Sequence, residues 1–479
     1  MNFLITTSTA APNGTLVLPV FEDQEPSIQA INAIPKAIFS GKTNTFYPLI
    51  IADGESITLL VGVGKKPDYQ EIKKLYKKVA LQNHELFRED ITLNFPDTFD
   101  KTFIEAAIAG WTIGTYTLGR HKSKDEKYFN WSNKSVNISS TVENIDQLVQ
   151  YAFQLGLAQI ETMKMVDLPP NIITPEYLAQ WCKEAGNTYD FSVKVLGKKE
   201  AEKEQLHAFL AVNQGSTKEP QFIIAEYRGA EQAPHLGLVG KGVTFDTGGL
   251  NIKTSSMEEM KSDMAGAATV LGAIQLIAQL QLPINVTAVV PCVENAIGNQ
   301  SFLPSEIIKS HSGKTIEIVD TDAEGRLILA DALSYLTKNY TTDYLIDLAT
   351  LTGSCIGTFG YECAALFSSS DALVQQLKDL GEETGEKVWP LPLWKAYEKE
   401  IESDVADVKN YHGKPFAGAI VAAKFLEYFT NDHPKWAHLD IAGTSFTSSE
   451  FYSIKHATAF GVHLLLKFAE RLIANENGY

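Results

Sequence analysis

The sequence predicts an α/β protein of two domains, each a central mixed or mostly parallel sheet flanked by helices, with the larger domain C-terminal. Three observations lead there. Short apolar, β-rich runs alternate with helical runs along most of the chain, the pattern of sheets covered by helices. At 479 residues the chain exceeds one ordinary domain. A proline-punctuated stretch, Val166-Asp167-Leu168-Pro169-Pro170-Asn171-Ile172-Ile173-Thr174-Pro175, coincides with a step in charge. Residues 1–165 carry 18 acidic and 16 basic side chains, and residues 166–479 carry 40 and 25. The domains are therefore placed at 1–165 and 166–479.

In the first domain, residues 16–20, 47–51 and 57–63 are predicted strands, and 69–83 and 102–113 predicted helices. Gly62-Val63-Gly64-Lys65-Lys66 lacks the spacing of a phosphate loop and reads as a strand-to-helix turn. The tract 122–127, with Lys134, is mixed in charge and reads as a solvated loop. No catalytic constellation is visible there. Residues 143–165 form the linking helix, with Ile145, Leu148, Tyr151, Ala152, Leu155 and Leu157 roughly on one side. Thr174-Pro175-Glu176 then supplies an N-cap, a first-turn proline and an early acid, which start the next helix.

In the second domain, strands are predicted at 236–239, 284–290, 315–319, 344–348 and 436–441, and helices at 265–278, 326–338 and 417–429. Ligands of such sheets bind beyond the carboxyl ends of the strands. Two polar clusters lie there. The first runs from Val239 to Gly249, with Lys241 and Asp246 among glycines 240, 242, 248 and 249. It continues through Lys253 and Met260 to Asp263, placed at a helix start of small residues. The plain alternative is a glycine turn and a helix cap. The second cluster is Asp320-Thr321-Asp322-Ala323-Glu324-Gly325-Arg326-Leu327. Three carboxylates between an apolar strand and an apolar helix need a counter-charge, and a metal is the strongest available. Here the plain alternative is a capped helix with an Asp–Arg pair. Together, Asp246, Asp263, Asp322 and Glu324 offer oxygen and Lys241 offers nitrogen, a set suited to two divalent ions. A lysine ligand must be neutral, so a neighbouring cation has to depress its pKa.

Composition excludes several classes. The net charge of −17 argues against nucleic acid and against anionic membrane surfaces. No apolar run approaches ~18–20 residues and the N-terminus has no basic stretch before its apolar residues, so a soluble cytoplasmic protein is expected. Cys182, Cys292, Cys355 and Cys363 form no C-x-x-C pair and read as free thiols in a reducing compartment. Neither H-E-x-x-H nor G-x-S-x-G occurs.

Residues 240–249, 260–268 and 322–327 resemble the signatures of the leucine aminopeptidases, the cytosol aminopeptidase family (peptidase family M17). The resemblance extends through Leu348-Ala349-Thr350-Leu351-Thr352-Gly353 and Trp436-Ala437-His438-Leu439-Asp440-Ile441-Ala442-Gly443, and covers residues 166–465. It implies that the C-terminal domain is catalytic. The tighter metal site takes Lys241, Asp246, Asp263 and Glu324; the exchangeable site takes Asp246, Asp322 with its carbonyl, and Glu324. Lys253 is the implied catalytic lysine at the substrate carbonyl. Arg326 holds a bicarbonate as general base, with backbone help at Leu351, and Met260 and Thr350 lie beside the substrate. Two ions (Zn²⁺ or Mn²⁺, with Mg²⁺ also tolerated) and a hexamer with active sites facing an interior cavity follow by the same resemblance. Asp320 departs from the family's usual Asn, and the 253–263 loop is one residue shorter than is common.

The implied reaction releases leucine-like N-terminal residues from peptides with a free N-terminus. A metal-bridging water attacks the first peptide bond and Lys253 stabilises the oxyanion. Two rivals are a di-metal phosphoesterase, which lacks enough cations for a phosphate clamp, and a non-catalytic scaffold, which would not need the complete ligand set. Metal content plus hydrolysis of a leucine amide separates all three. Outside the clusters, His438 reads as a hydrogen-bonded core histidine and Cys355 and Cys363 as buried thiols. Gly385 reads as a helix C-cap, and Trp389 and Trp394 as packing anchors.

Overall fold

The computed structural model describes residues 5–7, 14–22, 34–50, 56–118, 121, 123, 129–449 and 452–476. The chain divides into two compact units, Met1–Ile160 and Glu161–Tyr479. The helix Ile145–Asp167 runs across the division. Most of the charged tract at 122–127 lies outside the described residues.

The first unit contains β1 (Ile5–Thr7), β2 (Thr15–Phe21), β3 (Phe46–Ile50), β4 (Ile57–Gly64), β5 (Asp90–Phe95) and β6 (Ser135–Ser140). They pair in the order β1-β6-β5-β2-β4-β3, parallel except where β3 meets β4. Helix Tyr69–Gln82 starts on a capping box: Asp68 accepts from the Glu71 amide, and the Glu71 carboxylate accepts from the Asp68 amide. Helix Lys101–Gly114 starts on Asp100, which accepts from Phe103. The two pack together through a core that includes Tyr76, Phe95, Phe103 and Trp111.

The second unit contains β7 (Ser192–Leu196), β8 (Gln221–Arg228), β9 (His235–Gly240), β10 (Gly242–Asp246), β11 (Asn285–Asn295), β12 (Ile307–Lys309), β13 (Thr315–Glu317), β14 (Tyr344–Ala349), β15 (Ala364–Ser368), β16 (Val388–Pro390), β17 (Val408–Lys409), β18 (Trp436–Asp440), β19 (Phe446–Ser449) and β20 (Tyr452–Ala457). Its main sheet has nine strands in the order β16-β15-β18-β14-β9-β11-β8-β7, with β10 added alongside β11. The centre, β18-β14-β9-β11, is parallel, whereas β8, β7 and β15 join antiparallel. Both units are thus mixed α/β layers. Residues 315–319 depart from expectation. Their strand, β13, is only three residues long and sits in a small separate sheet with β12 and β17.

The four parallel central strands have buried apolar cores, as strands covered on both faces require. Helix Ala265–Gln279 is buried through Ala278. Its small residues allow very close approach: a Cβ on Gly266 would lie 2.2 Å from the Leu348 carbonyl oxygen, and one on Gly240 2.6 Å from the Gly266 carbonyl. Glycine at both positions seats the helix start against the ends of β9 and β14. Deeper in the sheet, Asp347 accepts from Trp436 Nε1 (2.7 Å) and lies 2.6 Å from His438 Nδ1, all three residues being buried. The histidine is therefore a hydrogen-bonded core residue. Helix Asp371–Thr384 ends on Gly385 at φ 71°, the left-handed position that favours glycine. Cys355 is buried, whereas Cys363 is only half-buried. Trp389 and Trp394 are more than half exposed, so neither is a buried anchor. Among the described residues, no helix is long and apolar enough to cross a membrane.

Candidate metal centre

A cavity of about 940 Å³ opens where the central strands end. All ten residues singled out in the sequence line it. Lys241 follows β9 directly. Its amide donates to the Leu348 carbonyl (3.0 Å) and its carbonyl accepts from Ala267 (2.8 Å), which pins it between β14 and the buried helix. Its Nζ lies 2.9 Å from Asp263 Oδ1 and 3.0 Å from Glu324 Oε1, and donates to the Thr350 carbonyl at 3.0 Å. Asp263 is not a helix cap: it closes the 3-10 turn Met257–Ser262, two residues before the helix begins.

Asp246 ends β10. Its Oδ1 accepts from the Gly248 amide and from Asn295 Nδ2, each at 2.8 Å. That leaves Oδ2 facing Lys253 Nζ at 2.8 Å. The same ammonium is 2.5 Å from Asp322 Oδ1, so Lys253 bridges two carboxylates from distant segments. Gly248, at φ 85°, makes this turn possible, and a Cβ there would lie 2.9 Å from Asp322 Oδ1. Oxygens of Asp246, Asp322 and Glu324 lie within 4.8 Å of one another.

Apart from the exposed Asp322, the cluster is buried, and it is over-supplied with negative charge. Asp246, Asp263 and Glu324 are 2%, 6% and 1% exposed, so little water reaches them. Burial raises the Glu324 pKa, and Asp246 raises it further against the opposing lysines. Asp263 is raised by burial and by Glu324 and Asp246, against Lys241. Burial likewise lifts Asp322, with Glu324 and Asp246 adding to it. Burial works to lower both lysines, but the surrounding carboxylates outweigh it and hold each above its ordinary value.

Asp263 Oδ2 and both Glu324 oxygens are buried without a hydrogen-bond partner. Glu324 Oε1 is near the Lys241 ammonium, but as an ion pair and not in hydrogen-bond geometry. Unpaired buried carboxylate oxygens are costly, and a cation removes that cost. Four carboxylates and one amine nitrogen make an oxygen-rich set that fits divalent metals, including Zn²⁺, Mn²⁺ and Mg²⁺.

The remaining predicted residues surround this cluster. Arg326, in the first turn of helix Gly325–Asn339, is buried; its Nη1 donates to the Asn410 carbonyl (2.7 Å) and its Nε has no partner. Burial lowers its pKa to about 10. Thr350 donates to Asp263 Oδ1 at 2.7 Å. The Leu351 amide is engaged, donating to Asp440 Oδ1 at 3.1 Å. Met260 lies in the 3-10 turn on the cavity wall.

Sequence reasoning gave no role to Asn295, Thr321, Asn410 or Asp440. Asn295 ends β11 and Asp440 ends β18, so the rule that sites gather at strand carboxyl ends could have found both. Asp440 also accepts from Thr352 Oγ1 at 2.7 Å, which holds the turn after β14. Thr321 stands inside the acidic cluster itself, between Asp320 and Asp322, whereas nothing local marks Asn410.

The model of the cytosol aminopeptidase family's catalytic domain matches residues 161–466. A probable cytosol aminopeptidase of Chlorobium limicola is 40% identical over 434 residues, covering 86% of each chain. One from Roseiflexus castenholzii is 38% identical over 472 residues, covering 94% of this chain and 95% of its own. Among solved structures, a mutant tomato leucine aminopeptidase superposes with a TM-score of 0.87 at 29% identity, over 98% of this chain and 97% of its own. The bottromycin maturation enzyme BotP, in complex with Mn, superposes with a TM-score of 0.85 at 25% identity, over 96% and 99%.

Proposed function

The chain belongs to the cytosol aminopeptidase family, and on that premise we propose that it releases leucine-like N-terminal residues from peptides, using two divalent ions per subunit. One observation carries the reading: three buried carboxylate oxygens, on Asp263 and Glu324, lack partners beside a cluster that already contains two lysines. Lys241, Asp246, Asp263 and Glu324 would hold one ion, and Asp246, Asp322 and Glu324 the other. Zn²⁺ or Mn²⁺ is the proposed occupant, with Mg²⁺ tolerated. When bound, the ions would supply Lewis acidity to a water and to the scissile carbonyl.

The chain's own residues do the rest. Asp246 is oriented by Gly248 and Asn295, so the direction of its free oxygen is fixed before anything binds. Lys253 bridges Asp246 and Asp322 in a position a cation could take. Released from those carboxylates, its ammonium is free to donate to the oxyanion of the reacting carbonyl. Arg326 keeps one edge tied to Asn410 and presents an unpartnered Nε, which supports its role in holding a bicarbonate base. Met260 and Thr350 line the wall beside the substrate. A hexamer and a cytoplasmic location complete the proposal, the latter in keeping with the names of its relatives. The test is metal content together with hydrolysis of a leucine amide. A preparation containing two ions per subunit with no such hydrolysis would sink the reading.

Two expected outcomes follow. An unblocked leucyl peptide should turn over readily, and its N-acetyl counterpart negligibly, since acetylation removes the amine that would occupy an open metal position. Product analysis by chromatography decides it, and comparable rates would place the chain in another peptidase class. Gly325→Ala should weaken metal binding with little effect on folding. Its Cβ would lie 2.5 Å from Lys241 Nζ, and the flexible lysine end would move rather than the backbone. Metal titration and a melting curve of the variant check this. Wild-type affinity would show that the lysine position does not matter to the ions.

A further inference from the structure

The loop carrying Asp322 and Glu324 has no regular secondary structure between β13 and helix Gly325–Asn339. Its shape is held from two sides. On one side Thr321 donates through Oγ1 to the Gly248 carbonyl (2.7 Å), its amide donates to Asn251 Oδ1 (3.0 Å), and its carbonyl accepts from Asn295 (3.1 Å). On the other side Asp320 Oδ1 accepts from the Asp322 amide (2.8 Å) within the loop, and one side chain from outside the loop holds the rest. Asn410, directly after β17, is fully buried. Its Oδ1 accepts from the amides of Val319 (2.7 Å) and Asp320 (3.3 Å), and its Nδ2 donates to the carbonyls of Asp320 (2.6 Å) and Ala323 (3.3 Å). Both ends of the amide are thus used on loop residues that flank Asp322. The Asn410 carbonyl also accepts from Arg326 Nη1. One residue therefore sets the loop and the guanidinium together.

We infer that Asn410 is a positioning residue of this centre, holding Asp322 at the geometry of the more weakly bound ion and aiming Arg326 into the cavity. Asparagine is a side chain that fits, because the loop offers two amides and two carbonyls to one buried group, and a carboxamide supplies two N–H donors beside an oxygen that accepts twice. Residues behind metal ligands typically change affinity by about 10–100-fold when removed. Lys241 and Asp263 receive no hydrogen bond from this clamp, so the effect should fall on one ion more than on the other.

The inference rests on the two-ion reading, and its test separates the two. Asn410→Ala removes the whole clamp. Asn410→Asp keeps the shape and the bonds from the two amides while losing both donated bonds, and serves as the variant that folds if alanine does not. In metal-free protein, hydrogen exchange at the 319 and 320 amides should accelerate in Asn410→Ala, and in Asn410→Asp, which keeps those two bonds, acceleration should appear at 321–323 instead; unchanged protection across 319–323 overturns the clamp whether or not metal binds. In the metal titration, the weaker ion's affinity should fall by about 10-fold or more, the tighter ion's should hold, and excess metal should restore much of kcat. Equal weakening of both ions would mean a general structural role and would overturn the proposal, as would wild-type affinities in both variants. Failure of wild-type protein to bind two ions would count against the two-ion reading, with the exchange result standing by itself.

Discussion

Glu324→Ala is expected to abolish hydrolysis of a leucine amide and strip metal from the protein, yet leave a folded chain. Glu324 is the carboxylate proposed to touch both ions, and neither of its oxygens has a hydrogen-bond partner, Oε1 being paired only with the Lys241 ammonium at 3.0 Å. No hydrogen bond of the fold depends on its carboxylate. Although it occupies the cap position of helix Gly325–Asn339, its side chain makes no capping bond. Its removal deletes a buried acid whose pKa burial and Asp246 already push up. Metal-free Glu324→Ala should melt close to the temperature of metal-free parent, because loss of the ion pair with Lys241 offsets the relief of a buried carboxylate crowded by Asp246. The metal-loaded parent should melt higher than both. Elemental analysis, a leucine amide assay and melting curves with and without chelator check the three parts. Wild-type metal content in the variant would remove Glu324 from the ions altogether.

The second large effect separates two lysines that composition treats as equivalent. Lys241 is almost fully buried and contacts Asp263, Glu324 and a main-chain carbonyl, whereas Lys253 is more open and bridges Asp246 and Asp322. Lys241→Ala should lose about one ion per subunit at limiting metal, since a ligand is gone, and should recover in part when metal is in excess. Lys253→Ala should keep both ions and lose roughly 10²–10³ in kcat, the cost typical of a missing oxyanion donor. Added metal should not restore it. Kinetics and metal analysis of the two purified variants, side by side, decide the assignment. Rescue of the Lys253 variant by metal, or tight retention of both ions by the Lys241 variant, reverses it.

How much was legible in advance depended on whether a signal was local. The central strands β9, β11, β14 and β18 are continuous apolar runs, which only a buried parallel sheet requires, so they stood out. The acids and lysines also stood out, because each lies within a few residues of a strand end. The edges were harder. β7 is a short strand of mixed burial, and β12, β13 and β17 are two or three residues long, too few for periodicity to speak. Pairing among those three is what moved 315–319 out of the main sheet. Asn410 could not have been found from its neighbours, since the loop it holds is about ninety residues earlier in the chain. The Leu351 amide was invisible for a similar reason: its partner, Asp440, comes from the last strand of the central sheet.

That strand order has a consequence for how the molecule is made. Lys241 hangs from the end of β9, but β9 lies beside β14, about a hundred residues further along, and β14 lies beside β18, about ninety further still. On a ribosome, the acidic segments at 246, 263 and 322 emerge well before the strand bearing Asp440, whose carboxylate holds the Leu351–Thr352 turn on the cavity wall. Until then the carboxylates would be hydrated, with only weak, exchangeable cation binding open to them. The proposed centre would therefore come into being late, after synthesis of nearly the whole of these residues, and the ion it captures would be set by the metal pool that the folded chain meets.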